Sequence, residues 1–113
     1  MFSGKHKFPL ILVYPFINSV STFRTHSITR MKVEKAYLFG SYARGKAHKE
    51  SDIDLAIVSS SFRGNSFSDN VALGKLTWGI NTRIEPIGFT PKDFDELMFA
   101  KEIKKIGIEI KIN

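Results

Sequence analysis

The sequence of 113 residues contains no cysteine and only three histidines. Without cysteine the chain can form neither a disulfide nor a thiolate metal site, and the histidines at positions 6, 26 and 48 lack the spacing of zinc ligands. These absences exclude disulfide-stapled scaffolds and zinc chemistry. A reducing compartment suits such a composition, and we expect a cytoplasmic protein.

Long apolar runs are also missing from the chain. The most apolar stretch near its start, residues 8–17, is ten residues long and contains Pro9 and Pro15. It is too short to span a bilayer, and no Ala-x-Ala cleavage pattern follows it. We therefore expect no membrane partner, and we predict a strand or extended arm that packs on the core.

Positive charge is concentrated in the first half of the chain. Residues 1–50 carry nine basic and two acidic residues, a net +7, whereas residues 51–113 carry eight basic and nine acidic residues, a net −1. A basic half can attract nucleic acid or the phosphate tail of a nucleotide, but the dispersed placement here is typical of a solvated surface. Nucleic acid is therefore allowed as a partner but not favoured.

The length is that of one small globular domain. Met31 stands just before the first well-patterned segment, so we divide the chain into residues 1–30, an N-terminal extension or helix, and residues 31–113, the domain itself. Phe16, Val20 and Phe23 recur at helical spacing, which favours a helix over residues 16–29. We expect the fold not to require residues 1–30.

The rest of the chain alternates predicted strands with predicted helices. Strands are predicted at residues 33–39, 51–58, 82–87 and 108–112, and helices at residues 41–46, 71–78 and 91–106. Thr90 is expected to cap the last helix and Gly107 to end it, with Phe94, Leu97 and Met98 facing inward. Residues 59–70, rich in serine, glycine and asparagine, predict an exposed, mobile connection.

Gly40 and Ser41 follow the first of these strands. Glycine lets a backbone turn approach a ligand closely, and a serine at a helix start offers a hydroxyl beside free N–H groups, as a phosphate site requires. Arg44 lies on the same side of the first helical turn, where its guanidinium can pair with a phosphate oxygen. Taken alone, these residues equally suit an ordinary turn and a surface arginine.

Asp52 and Asp54 lie at positions i and i+2 of the second strand, so both carboxylates project from one face. Like charges at this spacing repel, and a divalent cation relieves the repulsion. Mg²⁺ prefers carboxylate oxygens and also binds substrate phosphates, so the pair and the Gly-Ser turn could share one metal-bound nucleotide. The strand is apolar on both faces beyond Asp54, which favours this interpretation over a solvated strand face.

Glu85 supplies a third carboxylate, between Ile84 and Pro86 on the third strand. Such a group can ligate the metal and orient or deprotonate an attacking hydroxyl. The chain contains neither a Gly-x-x-x-x-Gly-Lys-Ser loop nor a Gly-x-Gly-x-x-Gly run. Phosphate binding by the P-loop or Rossmann routes is therefore not supported.

Two segments resemble the minimal nucleotidyltransferases of the polymerase-beta superfamily: Leu-Phe-Gly-Ser-Tyr-Ala-Arg-Gly at 38–45 and Ser-Asp-Ile-Asp-Leu-Ala-Ile-Val at 51–58. A Gly-Ser turn followed after ten residues by Asp-x-Asp, as here, is typical of that superfamily. The Ile-Glu-Pro at 84–86 and the Phe-Thr-Pro at 89–91 are similar to the third-carboxylate strand of the minimal branch and the segment after it.

The resemblance implies the nucleotidyltransferase fold, an α/β (α+β) domain whose mixed β-sheet has helices packed mainly on one side. It also implies an Mg²⁺-dependent enzyme that transfers a nucleoside monophosphate, AMP from ATP or that of another NTP, to an acceptor hydroxyl. Matching positions are Gly40, Ser41 and Arg44 for the nucleotide phosphates, and Asp52, Asp54 and Glu85 for two Mg²⁺ ions and catalysis. Glu85 stands where the superfamily often has aspartate.

Members of this branch are often paired with a small helical HEPN-type toxin. The resemblance therefore implies an antitoxin of a toxin–antitoxin pair that adenylylates its partner. Two other interpretations stay open: a non-catalytic nucleotide-binding or interaction module that neutralises its partner by contact, and transfer to a small molecule or an RNA end. No pattern in the sequence identifies the preferred NTP, the acceptor or the oligomeric state.

Overall fold

The computed structural model describes residues 7–22, 32–46, 51–63, 67–77 and 83–112. These segments contain α1 (Lys7–Thr22), β1 (Lys35–Phe39), β2 (Ile53–Val58), α2 (Phe67–Thr77), β3 (Ile84–Phe89), α3 (Pro91–Glu96), α4 (Met98–Ile106) and β4 (Ile108–Ile110). All four predicted strands are present, with shifted ends. Within the described segments, no helix is both long enough and apolar enough to cross a membrane.

The strands of the described segments form one mixed sheet in the order β3-β2-β1-β4. β1 pairs antiparallel with β2 and with β4, whereas β2 and β3 run parallel. A parallel pair needs a crossover connection, and α2 lies in the connection between these two strands. This architecture confirms the predicted α/β class with a mixed sheet.

β2 has buried apolar side chains on both faces of the sheet. Ile53, Leu55 and Ile57 belong to a buried cluster that includes residues of α1 and α2. The alternate residues Ala56 and Val58 belong to a second cluster, which α3 and α4 complete. By the same alternation the side chain of Asp54 projects from the second face, so α3 and α4 lie on the face that carries this carboxylate. Helices therefore pack on both faces of the sheet, and not mainly on one side as expected.

Residues 8–17 are helical, so the predicted strand or extended arm is wrong. Val13, Phe16 and Ile17 of α1 are buried at positions i, i+3 and i+4, the spacing of one helix face. Burial of this face outweighs the local cost of Pro15 inside the helix. The helix predicted over 16–29 is present as far as Thr22. Its remainder and the domain boundary at residue 30 lie outside the described residues, and that boundary stays a prediction.

The segment that follows β2 is more ordered than predicted. Ser60 and Arg63 are exposed as predicted, but Ser59 and Phe62 are buried and α2 begins at Phe67, so the connection predicted over 59–70 is wrong at these positions; residues 64–66 lie outside the described residues. The buried ring of Phe62 belongs to the same cluster as Leu73 of α2. Apolar burial on the sheet thus organises a stretch whose composition alone favours a loop.

β3 is an edge strand of the sheet, a position that tolerates the proline within it, Pro86. Pro86 has no N–H to offer to a further strand, and the N–H of Gly88 donates to the side-chain oxygen of Asn70 at 3.1 Å. Since Asn70 belongs to α2, this helix covers the edge. The edge of β3 is therefore closed to extension by another strand.

The helix predicted over residues 91–106 is divided in two at Leu97. Thr90 caps α3 as predicted, because its side chain accepts a hydrogen bond from the N–H of Asp93 at 3.1 Å. Leu97 has an extended backbone with ψ 139°, and Leu97 and Met98 are 42% and 83% exposed. The prediction that these two side chains face inward is wrong, whereas Phe94 is buried as predicted.

Candidate active site

A tight turn follows β1 and begins at Gly40, whose φ of +72° lies in the left-handed region that favours glycine. The N–H of Arg44 donates to the carbonyl of Gly40 at 3.1 Å, and the N–H of Lys46 donates to that of Ser41 at 2.9 Å. The short helix predicted over residues 41–46 is wrong. Residues 40–46 instead form a hydrogen-bonded turn, which we call the Gly40 turn. Gly45, with a left-handed φ of +71°, prevents the turn from continuing as a helix.

Gly40 lies directly against the side chain of Asp54. Phe39, which precedes Gly40, is the register partner of Asp54 in the antiparallel pair of β1 and β2. A Cβ atom added at Gly40 would lie 2.0 Å from Oδ2 of Asp54, far inside van der Waals contact. Glycine at this position therefore allows the turn to approach the carboxyl group.

Asp54 and Glu85 are register partners in the parallel pair of β2 and β3. Burial, then the charge and the hydrogen bond of Glu85, and last the charge of Asp52, raise the pKa of Asp54 to about 6. The ionised forms of two adjoining carboxyl groups repel each other, and either a shared proton or a cation relieves this repulsion. The pairing of β2 with β3 thus turns two carboxylates from distant parts of the sequence into one acidic pair.

The other predicted site residues lie around this pair without joining it. Asp52 is exposed just before β2, Ser41 is half-buried in the Gly40 turn, and Arg44 is exposed. No three acidic or histidine side chains in the described ranges come close enough to one another to hold a metal ion. The structure therefore brings Gly40, Asp54 and Glu85 together, whereas the side chains of Asp52 and Arg44 are exposed to solvent.

Two cavities adjoin these residues. One of about 600 Å³ lies between α2 and β3, and Asp54, Glu85 and Lys75 contribute to its lining. The other, of about 210 Å³, is lined in part by Gly40, Arg44 and Phe99 of α4. Lys75 and Phe99 could not be assigned to these cavities from the sequence, because they belong to no motif and reach the site only through the packing of their helices.

Arg83 is a further residue that sequence analysis missed. Its Nε and Nη2 atoms donate to the carbonyl oxygen of Ser51 at 3.2 and 2.8 Å, and Nη2 also donates to Oη of Tyr42 at 2.7 Å. We refer to these contacts as the Arg83 bridge. The partners lie 32 and 41 positions away along the chain, so no local pattern could have identified them.

The chemistry of these donors suits a hard divalent cation. Carboxylate oxygens are the ligands that Mg²⁺ prefers, and the repulsion within the Asp54–Glu85 pair is what a cation would relieve. Asp54 and Glu85 could hold such an ion, and Asp52, two positions earlier on the same strand face, is the candidate for a further oxygen ligand. The hydrogen bonds that close the Gly40 turn are donated by the N–H groups of Arg44, Gly45 and Lys46, and not by those of Ser41 and Tyr42.

Comparison with known proteins relates both the sequence and the fold to one family. Residues 20–111 match the family model described as the nucleotidyltransferase domain. A structure from Sulfolobus solfataricus, assigned as a nucleotidyltransferase, has 22% identity and a TM-score of 0.63 over 93% of this chain and 81% of that chain. A toxin–antitoxin structure with AMP-PNP has 17% identity and a TM-score of 0.58 over 91% of this chain and 73% of that chain. No curated protein matches significantly.

Proposed function

This chain belongs to the nucleotidyltransferase domain family of the polymerase-beta superfamily, and on that premise we propose that it transfers AMP from ATP to a hydroxyl group on a partner protein. The observation that carries the proposal is the contact between the Gly40 turn and the Asp54–Glu85 pair. A turn suited to phosphate and a pair suited to a cation lie side by side, as transfer of a nucleotidyl group requires.

We assign the nucleotide phosphates to Gly40, Ser41 and Arg44. The left-handed backbone of Gly40 brings the turn against Asp54, and Ser41 adds a hydroxyl group. The exposed guanidinium of Arg44 can reach and pair with a phosphate oxygen. Arg44 and Gly40 also share the lining of the smaller cavity. A triphosphate on this turn would therefore lie within reach of the acidic pair.

Asp52, Asp54 and Glu85 are proposed to hold two Mg²⁺ ions, which requires the exposed side chain of Asp52 to turn toward the other two carboxylates when the ions bind. When bound, these ions would stabilise the negative charge that develops on the entering and leaving oxygens. The exposed carboxylate of Glu85 borders the larger cavity, where it can orient an acceptor hydroxyl and take its proton. The acceptor oxygen then forms a bond to the α-phosphorus as the bond to pyrophosphate breaks.

The proposed acceptor is a small helical HEPN-type toxin, with this chain as its antitoxin in the cytoplasm. The support comes from the toxin–antitoxin structure with AMP-PNP, whose fold this chain shares over 91% of its length. A partner protein also suits an open cavity of about 600 Å³ beside Glu85, which a segment of another chain could enter.

The test follows a label from ATP to its acceptor. Purified protein, α-labelled ATP and Mg²⁺ are mixed with host extract, and the wild type is compared with Asp54→Asn and with Asp95→Asn. Asp95 offers a matched carboxylate-to-amide exchange, since its side chain is 77% exposed and pairs with Lys104 instead of the site. We expect one small labelled protein with the wild type and with Asp95→Asn, and none with Asp54→Asn.

The label also decides among the alternative acceptors. Label on a small molecule or on RNA in place of protein would contradict the proposed acceptor and retain the transfer chemistry. If no label is transferred and ATP does not bind, the catalytic proposal is wrong.

A non-catalytic interaction module is the second candidate function. The observation that favours it is that the described segments contain no cluster of three side chains able to hold a metal ion, since Asp52 does not join Asp54 and Glu85. Such a module would neutralise its partner by contact alone. Asp54→Asn should then neutralise the partner as well as the wild type does, whereas a transferase with this substitution should not.

A further inference from the structure

We propose that Arg83 is a positioning residue that sets the placement of the Gly40 turn relative to the carboxylate-bearing strands. The inference rests on the proposed nucleotide site, and it assigns a role to a residue outside that site. Arg83 immediately precedes β3, two positions before Glu85, and its guanidinium reaches both Ser51 and Tyr42. One side chain thus connects the three segments that carry the proposed site.

The first connection joins the starts of β2 and β3. Nε and Nη2 of Arg83 both donate to the carbonyl oxygen of Ser51, the residue before Asp52. In return, the carbonyl oxygen of Arg83 accepts a hydrogen bond from the N–H of Ile53 at 2.7 Å. The chain that carries Asp52 is therefore held to β3 from both sides, just before the positions of the acidic pair.

The second connection joins this strand pair to the Gly40 turn. Nη2 of Arg83 donates to Oη of Tyr42 at 2.7 Å, and the ring of Tyr42 is 6% exposed within the buried cluster beneath the turn. A buried ring has little freedom to move, so this hydrogen bond couples the position of the turn to the position of Arg83. The first half of the Gly40 turn is thereby held at two points: by Gly40 against Asp54, and by Tyr42 against Arg83.

The geometry requires the fork of a guanidinium. Two of its N–H groups converge on the single carbonyl oxygen of Ser51, while the second hydrogen of Nη2 points to Tyr42. The single ammonium of a lysine cannot reproduce this planar arrangement. A nucleotide that contacts both the turn and the acidic pair depends on their relative placement, so its affinity should depend on the Arg83 bridge.

The test uses Tyr42→Phe, which removes the hydroxyl from the Arg83 bridge and keeps the buried ring. Tyr37→Phe is the matched control, because Tyr37 donates from its hydroxyl to Glu109 at 3.4 Å on β4, away from the site. The dissociation constant for ATP is measured by calorimetry at a temperature where far-UV circular dichroism finds each variant folded. Because each variant is already folded before ATP is added, a loss of stability does not change the measured dissociation constant.

We expect Tyr42→Phe and Arg83→Lys to weaken ATP binding roughly tenfold, and Tyr37→Phe to leave it unchanged. The double variant should bind no more weakly than Arg83→Lys by itself, because both substitutions break the same connection. Folded Tyr42→Phe with the affinity of the wild type would overturn the positioning role while leaving the proposed function intact. Failure of the wild type to bind ATP would overturn both.

Discussion

Replacing Gly40 with alanine tests the contact on which the candidate active site depends. Alanine at a φ of +72° costs about 1–2 kcal/mol of unfolding free energy. The new Cβ would begin 2.0 Å from Oδ2 of Asp54, so the carboxyl group must retreat by about 1.4 Å to reach ordinary contact at 3.4 Å. Moving the side chain of Asp54 away from a staggered rotamer adds about 0.5–1.5 kcal/mol to this loss of stability. We expect a total loss of about 1.5–3.5 kcal/mol of unfolding free energy.

The effect of Gly40→Ala on transfer should be larger than its effect on stability. A displacement of reacting groups by about 1 Å can lower a rate roughly 100-fold, and the carboxyl group of Asp54 must move at least that far. The assay is the initial rate of label transfer from ATP, measured on folded protein, alongside urea unfolding for the free energy. We expect transfer to fall about 100-fold while most molecules remain folded.

Gly45→Ala is the matched control for Gly40→Ala. Gly45 has nearly the same backbone conformation, with φ +71°, but it is exposed at the far end of the turn. Gly45→Ala should lose a similar 1–2 kcal/mol from its backbone, with a much smaller loss of transfer. Equal losses of transfer in the two variants would refute the reasoning, because they would mean that backbone strain, and not displacement of Asp54, controls the rate.

Three further predictions concern stability. Folding raises the pKa of Asp54 from 3.8 to about 6, so between these pH values native molecules bind more protons than unfolded ones. The free energy of unfolding should therefore fall by about 1 kcal/mol as the pH rises from 4 to 6. Asp54→Asn should flatten this slope in urea titrations, and an unchanged slope would contradict the assignment. Thr90→Ala removes the cap of α3 and should cost about 1 kcal/mol, whereas Thr90→Ser should cost little. Phe16→Ala should cost about 3–5 kcal/mol, since its ring is fully buried; a loss below 1 kcal/mol would indicate that α1 does not stabilise the domain.

Local patterns predicted the parts of the structure that depend on neighbouring residues. The alternating pattern of residues 51–58 predicted a strand, and β2 forms there over Ile53–Val58, with Asp54 on it and Asp52 just before it. Thr90 and Gly107 predicted the beginning of α3 and the end of α4, because capping and helix termination act over only a few positions. Gly40 after β1 predicted a turn there, and the backbone at residue 40 is left-handed.

Predictions failed where burial against distant residues outweighs local preference. The prolines in residues 8–17 favoured an extended arm, but the helical spacing of Val13, Phe16 and Ile17 forms a buried face of α1. Leu97 and Met98 continue an apolar periodicity, yet the chain breaks at Leu97 and leaves both exposed. Short apolar runs fit either a helix or a strand until the packing partner is known.

The same distinction, between local patterns and contacts with distant residues, applies to the candidate site. The sequence by itself determined which residue types are present: a glycine-serine turn, an Asp-x-Asp strand and a lone glutamate on another strand. Only the tertiary structure decided that Asp54 and Glu85 are register partners, that Gly40 lies against Asp54, and that Arg83 connects the turn to both strands. Chemical identity is a property of each residue, whereas proximity between residues that are distant in the sequence depends on how the sheet is paired and how its faces are buried.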